Sequence, residues 1–174
     1  QTGMGRIGTL FGYQQFSGVE PDVMTLAKAL GSGAPLGAFT TKEFCSVLEP
    51  GDHGSTFGGN ALTTAAGAAA AKVLVEENIP SLANETGAYF QGKLKALSEK
   101  HGFISEVRGM GLLIAIEMSK EISGTIVSAA LQKGLLINAV RPNMIRFMPP
   151  LNVSKGEIDE AVEILDQIFT ESDN

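Results

Sequence analysis

Apolar positions along this chain fall into two regimes that meet near residue 60. Before it, short apolar runs are cut at close intervals by glycine, which predicts tight turns and close backbone approaches. Val23 to Leu30 and Leu36 to Thr40 interrupt that texture and predict short buried strands. From Ala61 helical periodicity takes over. Asn60 suits the N-cap of an alanine-rich helix reaching Glu77, and Pro80 stops it at Asn78. Small side chains on most of its faces predict close packing against other helices or a second subunit.

The rest alternates helix and strand. Pro80 to Lys100 predicts an amphipathic helix with Leu82, Thr86, Phe90, Leu94 and Leu97 inward, closed by His101-Gly102. Gly111 to Met118 reads as a strand, with Leu112, Ile114, Ile116 and Met118 alternating against Leu113 and Ala115. Ile122 to Lys133 reads as a helix stopped by Gly134. Leu135 to Val140 and Met144 to Met148, joined by Arg141-Pro142-Asn143, predict an antiparallel hairpin. Ser154-x-x-Glu157 is a capping box for a last helix that buries Ile158, Val162, Leu165, Ile168 and Phe169. The expected organisation is a loop-rich part, 1–77, followed by a compact α+β part, 78–174.

Composition narrows the classes of function. Hydrophobic residues make up 44% of the 174 and charged residues 18%, which suits a globular protein with a core. Thirteen basic against nineteen acidic residues give a net charge of −6, which argues against a basic nucleic-acid face or adhesion to anionic membranes. No apolar run approaches the roughly 20 residues that span a bilayer. Cys45 is the only cysteine, so no intrachain disulfide forms, and a reducing, cytoplasmic setting is expected. With two histidines besides, no transition-metal site is expected.

Four stretches carry candidate chemistry. Gly3-Met4-Gly5-Arg6-Ile7-Gly8 fits G-x-G-x-x-G, yet no strand precedes it and no helix follows, so a dinucleotide site is not expected. Lys28 lies among apolar neighbours and before Gly31-Ser32-Gly33. Outward snorkelling is one reading; the other is a sheltered amine, because burial favours the neutral, nucleophilic form. His53 to Asn60 sets Ser55, Thr56 and backbone N–H groups before a helix start: an anion cradle, or an ST-turn leading into the cap. Arg146, in an apolar strand before Pro149-Pro150, offers a planar fork to a carboxylate or to a structural ion pair.

Taken together, Pro21 to Gly31, His53 to Asn60 and Ile145 to Leu151 resemble the class III pyridoxal-phosphate aminotransferases, in consistent order along the whole chain. Gln1-Thr2-Gly3-Met4-Gly5-Arg6 resembles the end of that family's Asp-Glu-x-Gln-Thr-Gly-x-Gly-Arg motif. The resemblance implies an α/β protein of the fold-type I class. Residues 1–77 would be the C-terminal part of the large cofactor-binding domain and 78–174 the small C-terminal domain. It implies pyridoxal phosphate as cofactor, held covalently by Lys28, which then moves a proton. Gln1 would lie near the cofactor's phenolic oxygen. Ser55 and Thr56 would reach the phosphate of a neighbouring subunit, making the enzyme a homodimer through the large domain. Arg146 would grip the substrate's α-carboxylate. Substrates would be an amino acid and 2-oxoglutarate, and Arg146 to Val153 is most similar to members acting on ornithine derivatives, with 4-aminobutyrate the other option.

The family's aspartate for the cofactor's ring nitrogen belongs just before Gln1. The chain alone is therefore expected to be an inactive part of an active enzyme. A non-catalytic interaction module built on the same fold is the alternative.

Overall fold

The computed structural model describes residues 1–173 and divides by its internal contacts into two units. The first comprises 1–5 and 9–80; the second comprises 6–8 and the chain from Ser81 onward.

In the first unit, β1 (Val23–Leu26) and β2 (Ala38–Thr41) pair antiparallel, with Val23 opposite Thr41 and Leu26 opposite Ala38. Helix α1 (Ala61–Glu76) begins as its sequence dictates: Asn60 Oδ1 accepts from the Thr63 amide at 3.0 Å. It ends before Asn78, which adopts a left-handed φ of 50° that asparagine tolerates. Gly67 lets α1 approach the turn at 28–31; a Cβ there would sit 3.3 Å from the Leu30 carbonyl oxygen and collide with Leu36.

The burial expected for these strands is not found. Val23 is 52% and Phe39 56% exposed, and the alanine faces of α1 are mostly open. Two short strands and one helix supply too little apolar surface to cover both faces of a sheet. The glycine motif at 3–8 is a series of turns, with neither a strand before it nor an α-helix directly after it among the described residues.

The second unit holds the hydrophobic core. Its antiparallel sheet runs β3 (Ile104–Met110), β4 (Leu113–Met118), β6 (Met144–Phe147), β5 (Asn138–Arg141). One face carries Ile114, Ile116, Met118, Ile145 and Phe147, all buried. Helix α2 (Ile79–Lys100) lays Ala83, Phe90, Leu94 and Leu97 into this core, Phe90 meeting Phe147 edge-on at 5.2 Å. Helix α3 (Ser123–Gln132) adds Ile126 and Ala130, and α4 (Lys155–Asp173) adds Ile158, Leu165, Ile168 and Phe169. The capping box forms as predicted: the Ser154 amide donates to Glu157 Oε2 at 2.8 Å and the Glu157 amide to Ser154 Oγ at 3.2 Å.

Three expectations are corrected. Strand β3 went unpredicted because Ser105, Glu106, Arg108 and Gly109 break its alternation; it is an edge strand with an irregular register after Ile104. Leu82 is exposed, and the inward residue is its neighbour Ala83, in phase with Thr86, Phe90, Leu94 and Leu97. Leu135 to Ile137 is a connection, with the Leu135 amide donating to Ala130 O at 2.8 Å, so the strand begins only at Asn138.

Residues 6–8 are built into the second unit. The Leu112 amide donates to Arg6 O at 2.9 Å, and Arg6 Nη1 donates to Pro149 O at 2.6 Å and Leu112 O at 3.2 Å. Asn84 Nδ2 donates to Gly8 O at 3.3 Å. Burial lowers the pKa of the Arg6 guanidinium.

Candidate functional site

Lys28 follows directly on β1. Ala27 is extended, and Lys28 turns into a left-handed φ of 52° to open the helical turn at 28–31, which Ser32 closes at φ 49°. A side chain in this region costs about 1 kcal/mol or more, a strain that recurs at functional positions. The Lys28 amine donates to Gln1 Oε1 at 3.0 Å, joining two residues that lie 27 apart.

The amine is exposed, not sheltered as the apolar flanks suggested. Ala27 and Ala29, which flank it at the start of the helical turn, are themselves exposed. What distinguishes Lys28 is its partner. Lys42 lies 3.1 Å from Asp22 and 3.5 Å from Glu20, and these carboxylates, the Asp22 hydrogen bond first, raise its pKa. Lys72 lies 3.8 Å from Glu76. Among the described residues of this unit, Lys28 is the lysine with no carboxylate beside it, only a neutral amide. The Lys28 amine therefore has no ion pair to break before it can meet a carbonyl.

Residues 53–60 form an exposed loop. Ser55 Oγ accepts from the Gly58 amide at 2.9 Å, the ST-turn geometry, and Asn60 Nδ2 donates to Phe57 O at 2.9 Å. The turn holds the loop in shape, while the Thr56 hydroxyl has no hydrogen-bond partner among the described residues. Exposed hydroxyls before a helix start can receive an anion.

In the second unit, Arg146 lies mid-strand on β6, on the sheet face away from the core. One row crosses all four strands: Arg108, Ala115, Arg146 and Asn138. Arg108 is neutralised by Glu106 and by Glu117 at 2.7 Å, contacts that raise its pKa and lower that of Glu117. Arg146 has no acidic partner among the described residues. Its Nη2 donates to Asn138 Oδ1 at 2.9 Å, while Nε is shut from solvent with no acceptor. The structural ion pair left open by the sequence is absent there, and a guanidinium with a spare donor remains. Asn138 was not singled out from sequence. Its signal was a polar residue in an apolar strand, four positions before Pro142 as Arg146 is four after it.

Gln1 and Lys28 are thus brought together in the first unit, with Ser55 and Thr56 on an open loop of the same unit. Arg146 stands in the second. A model of the family Aminotransferase class-III matches residues 1–169. The chain is 49% identical over 171 residues to an acetylornithine aminotransferase from Caldanaerobacter subterraneus subsp. tengcongensis, covering 98% of this chain and 43% of the relative. It is 48% identical over 173 residues to that of Methanocaldococcus jannaschii, again covering 98% and 43%. Among solved structures it is similar to Plasmodium falciparum ornithine δ-aminotransferase, with a TM-score of 0.89 and 38% identity over 98% of this chain and 45% of that one. The acetylornithine aminotransferase of Elizabethkingia anophelis gives 0.88 and 34% over 98% and 44%. The chain spans less than half the length of each.

Proposed function

Since the chain belongs to the class III aminotransferase family and has a fold-type I architecture, we propose that its full-length polypeptide is a pyridoxal-phosphate-dependent aminotransferase. It would move the δ-amino group of N-acetylornithine to 2-oxoglutarate, in arginine synthesis. The residues present fit the cofactor: an amine without a carboxylate partner suits its aldehyde, and the exposed Ser55 and Thr56 hydroxyls suit a phosphate. When bound, pyridoxal phosphate supplies the electron sink that makes the substrate carbon acidic.

The chain's own residues do the rest. Lys28 holds the cofactor and then takes and returns the proton at the reacting carbon, through the same Nζ. Gln1 orients that amine through its side-chain oxygen. Ser55 and Thr56 serve the phosphate site of a second copy, so the working form is a homodimer. Arg146 receives a substrate carboxylate, its charge uncancelled by any acidic side chain among the described residues. Residues 1–77 would complete a large cofactor-binding domain and 78–174 would form the small domain.

The observation that carries this reading is Lys28: strained into a left-handed conformation, exposed, and paired only with an amide. The test is transamination by the full-length protein loaded with pyridoxal phosphate. N-acetylornithine should be used with a kcat/KM at least about tenfold above ornithine and 4-aminobutyrate, a difference that one well-placed group can supply. Preference for ornithine would move the substrate assignment toward the Plasmodium relative. No glutamate from 2-oxoglutarate with any amino donor would overturn the reading.

A further inference from the structure

Arg146 and Arg108 share one face of the sheet on either side of Ala115, yet only Arg108 is neutralised. A guanidinium on a flexible stem binds a carboxylate well only when its plane is fixed beforehand. Arg146 has one side-chain hydrogen bond that can fix it, from Nη2 to Asn138 Oδ1 at 2.9 Å. Register makes this contact: Asn138 and Arg146 are directly opposed across β5 and β6, the placement at which cross-strand side chains meet. The acceptor is neutral, so it orients the fork without cancelling its charge. On the other side, Ala115 offers only a methyl group and competes for no donor.

We infer that Asn138 is a positioning residue for substrate binding: it aims Arg146 while leaving its charge for the substrate carboxylate. The inference deepens the proposed function and rests on Arg146 as the carboxylate grip. A structural role for Asn138 is a poor account of the contact, because every position of β5 is exposed.

The test uses the full-length protein with pyridoxal phosphate and two substitutions that separate aim from charge. Asn138→Ala removes the acceptor; KM for 2-oxoglutarate should rise about tenfold, the worth of one hydrogen bond to a charged group, with kcat within about twofold. Asn138→Asp keeps an acceptor oxygen but adds a negative charge; KM should rise about a hundredfold, because a fixed carboxylate opposes an incoming one. Dissociation constants for glutarate, read by titration without turnover, should follow the same order. A structural role predicts the opposite for Asp, whose ion pair would hold Arg146 at least as firmly. Unchanged KM in Asn138→Ala, or Asn138→Asp at or below the native value, overturns the inference. Arg146→Lys, run alongside, separates the failures: if it too leaves KM unchanged, the Arg146 reading falls; if it raises KM while Asn138→Ala does not, only the positioning role falls.

Discussion

Helix α2 contains two interior glycines, Gly87 and Gly92, for which the same substitution should act with opposite sign. Alanine in place of glycine inside a helix ordinarily adds about 1 kcal/mol of stability. At Gly92 a new Cβ meets open space, so the gain should appear nearly whole. At Gly87 it would drive into the carbonyl of Gly111 and lie 2.9 Å from the Gly111 Cα. Gly111 cannot retreat easily. It holds a left-handed φ of 51°, and the side a Cβ would occupy is filled by Arg6 O at 2.7 Å and Ile7 C at 2.8 Å. Overpacking costs about 1–3 kcal/mol, and a collision of backbone with backbone belongs at the upper end. Net of the helical gain, Gly87→Ala should lose about 2 kcal/mol, some 3 kcal/mol below Gly92→Ala. At about 2–4 °C per kcal/mol for a chain of this size, the two melting temperatures should differ by roughly 6–12 °C. Thermal and urea denaturation followed by circular dichroism measures this. Shifts of the same sign in both variants would refute the close approach of α2 to Gly111.

Two further outcomes follow from the second unit. The Asp166 carboxylate receives Lys100 Nζ at 2.6 Å and His101 Nε2 at 2.7 Å, and these hydrogen bonds, that from Lys100 first, hold its pKa below the usual range. A depressed carboxylate stabilises the fold fully above its unfolded value near about pH 4 and loses that contribution as pH falls through the folded value. Asp166→Asn should therefore lose about 1 kcal/mol at pH 7 and little at low pH, read from urea midpoints; equal losses at both would contradict the pairing. Arg6→Ala leaves the Pro149 and Leu112 carbonyls without their guanidinium donor and should cost about 2–3 kcal/mol, with Arg6→Lys recovering part; a loss under about 0.5 kcal/mol would contradict the anchor.

The second unit was largely legible in the sequence because its own residues bury one another. The alternation of Leu112, Ile114, Ile116 and Met118, the capping box at Ser154 and the hairpin around Pro142 each announce a local geometry that packing then reinforces. Strand β3 was not legible, since an edge strand with charged positions on its open side has little apolar period to show. In the first unit the two strands and α1 were readable, but the strand expected over Val23 to Leu30 stops at Leu26, where the chain turns into a helical turn at 28–31, and the expected burial is not found. Apolar side chains such as Val23, Phe39 and Leu62 signal burial in sequence whether or not the same chain supplies the covering layer. For that reason the sequence left Lys28 open between shelter and solvent; it is found exposed, and its contact with Gln1 depends on a fold-back that no spacing reveals. Asn138 was missed likewise, because its meaning lies in cross-strand register and not in any linear motif.

The proposed chemistry depends on which lysine carries the cofactor. Full-length protein loaded with pyridoxal phosphate, reduced with borohydride and digested, gives the answer by peptide mass. The label is expected on the peptide containing Lys28, with Lys28→Arg protein taking up none. Label on Lys42 or Lys72 in place of Lys28, or undiminished labelling after Lys28→Arg, would contradict it.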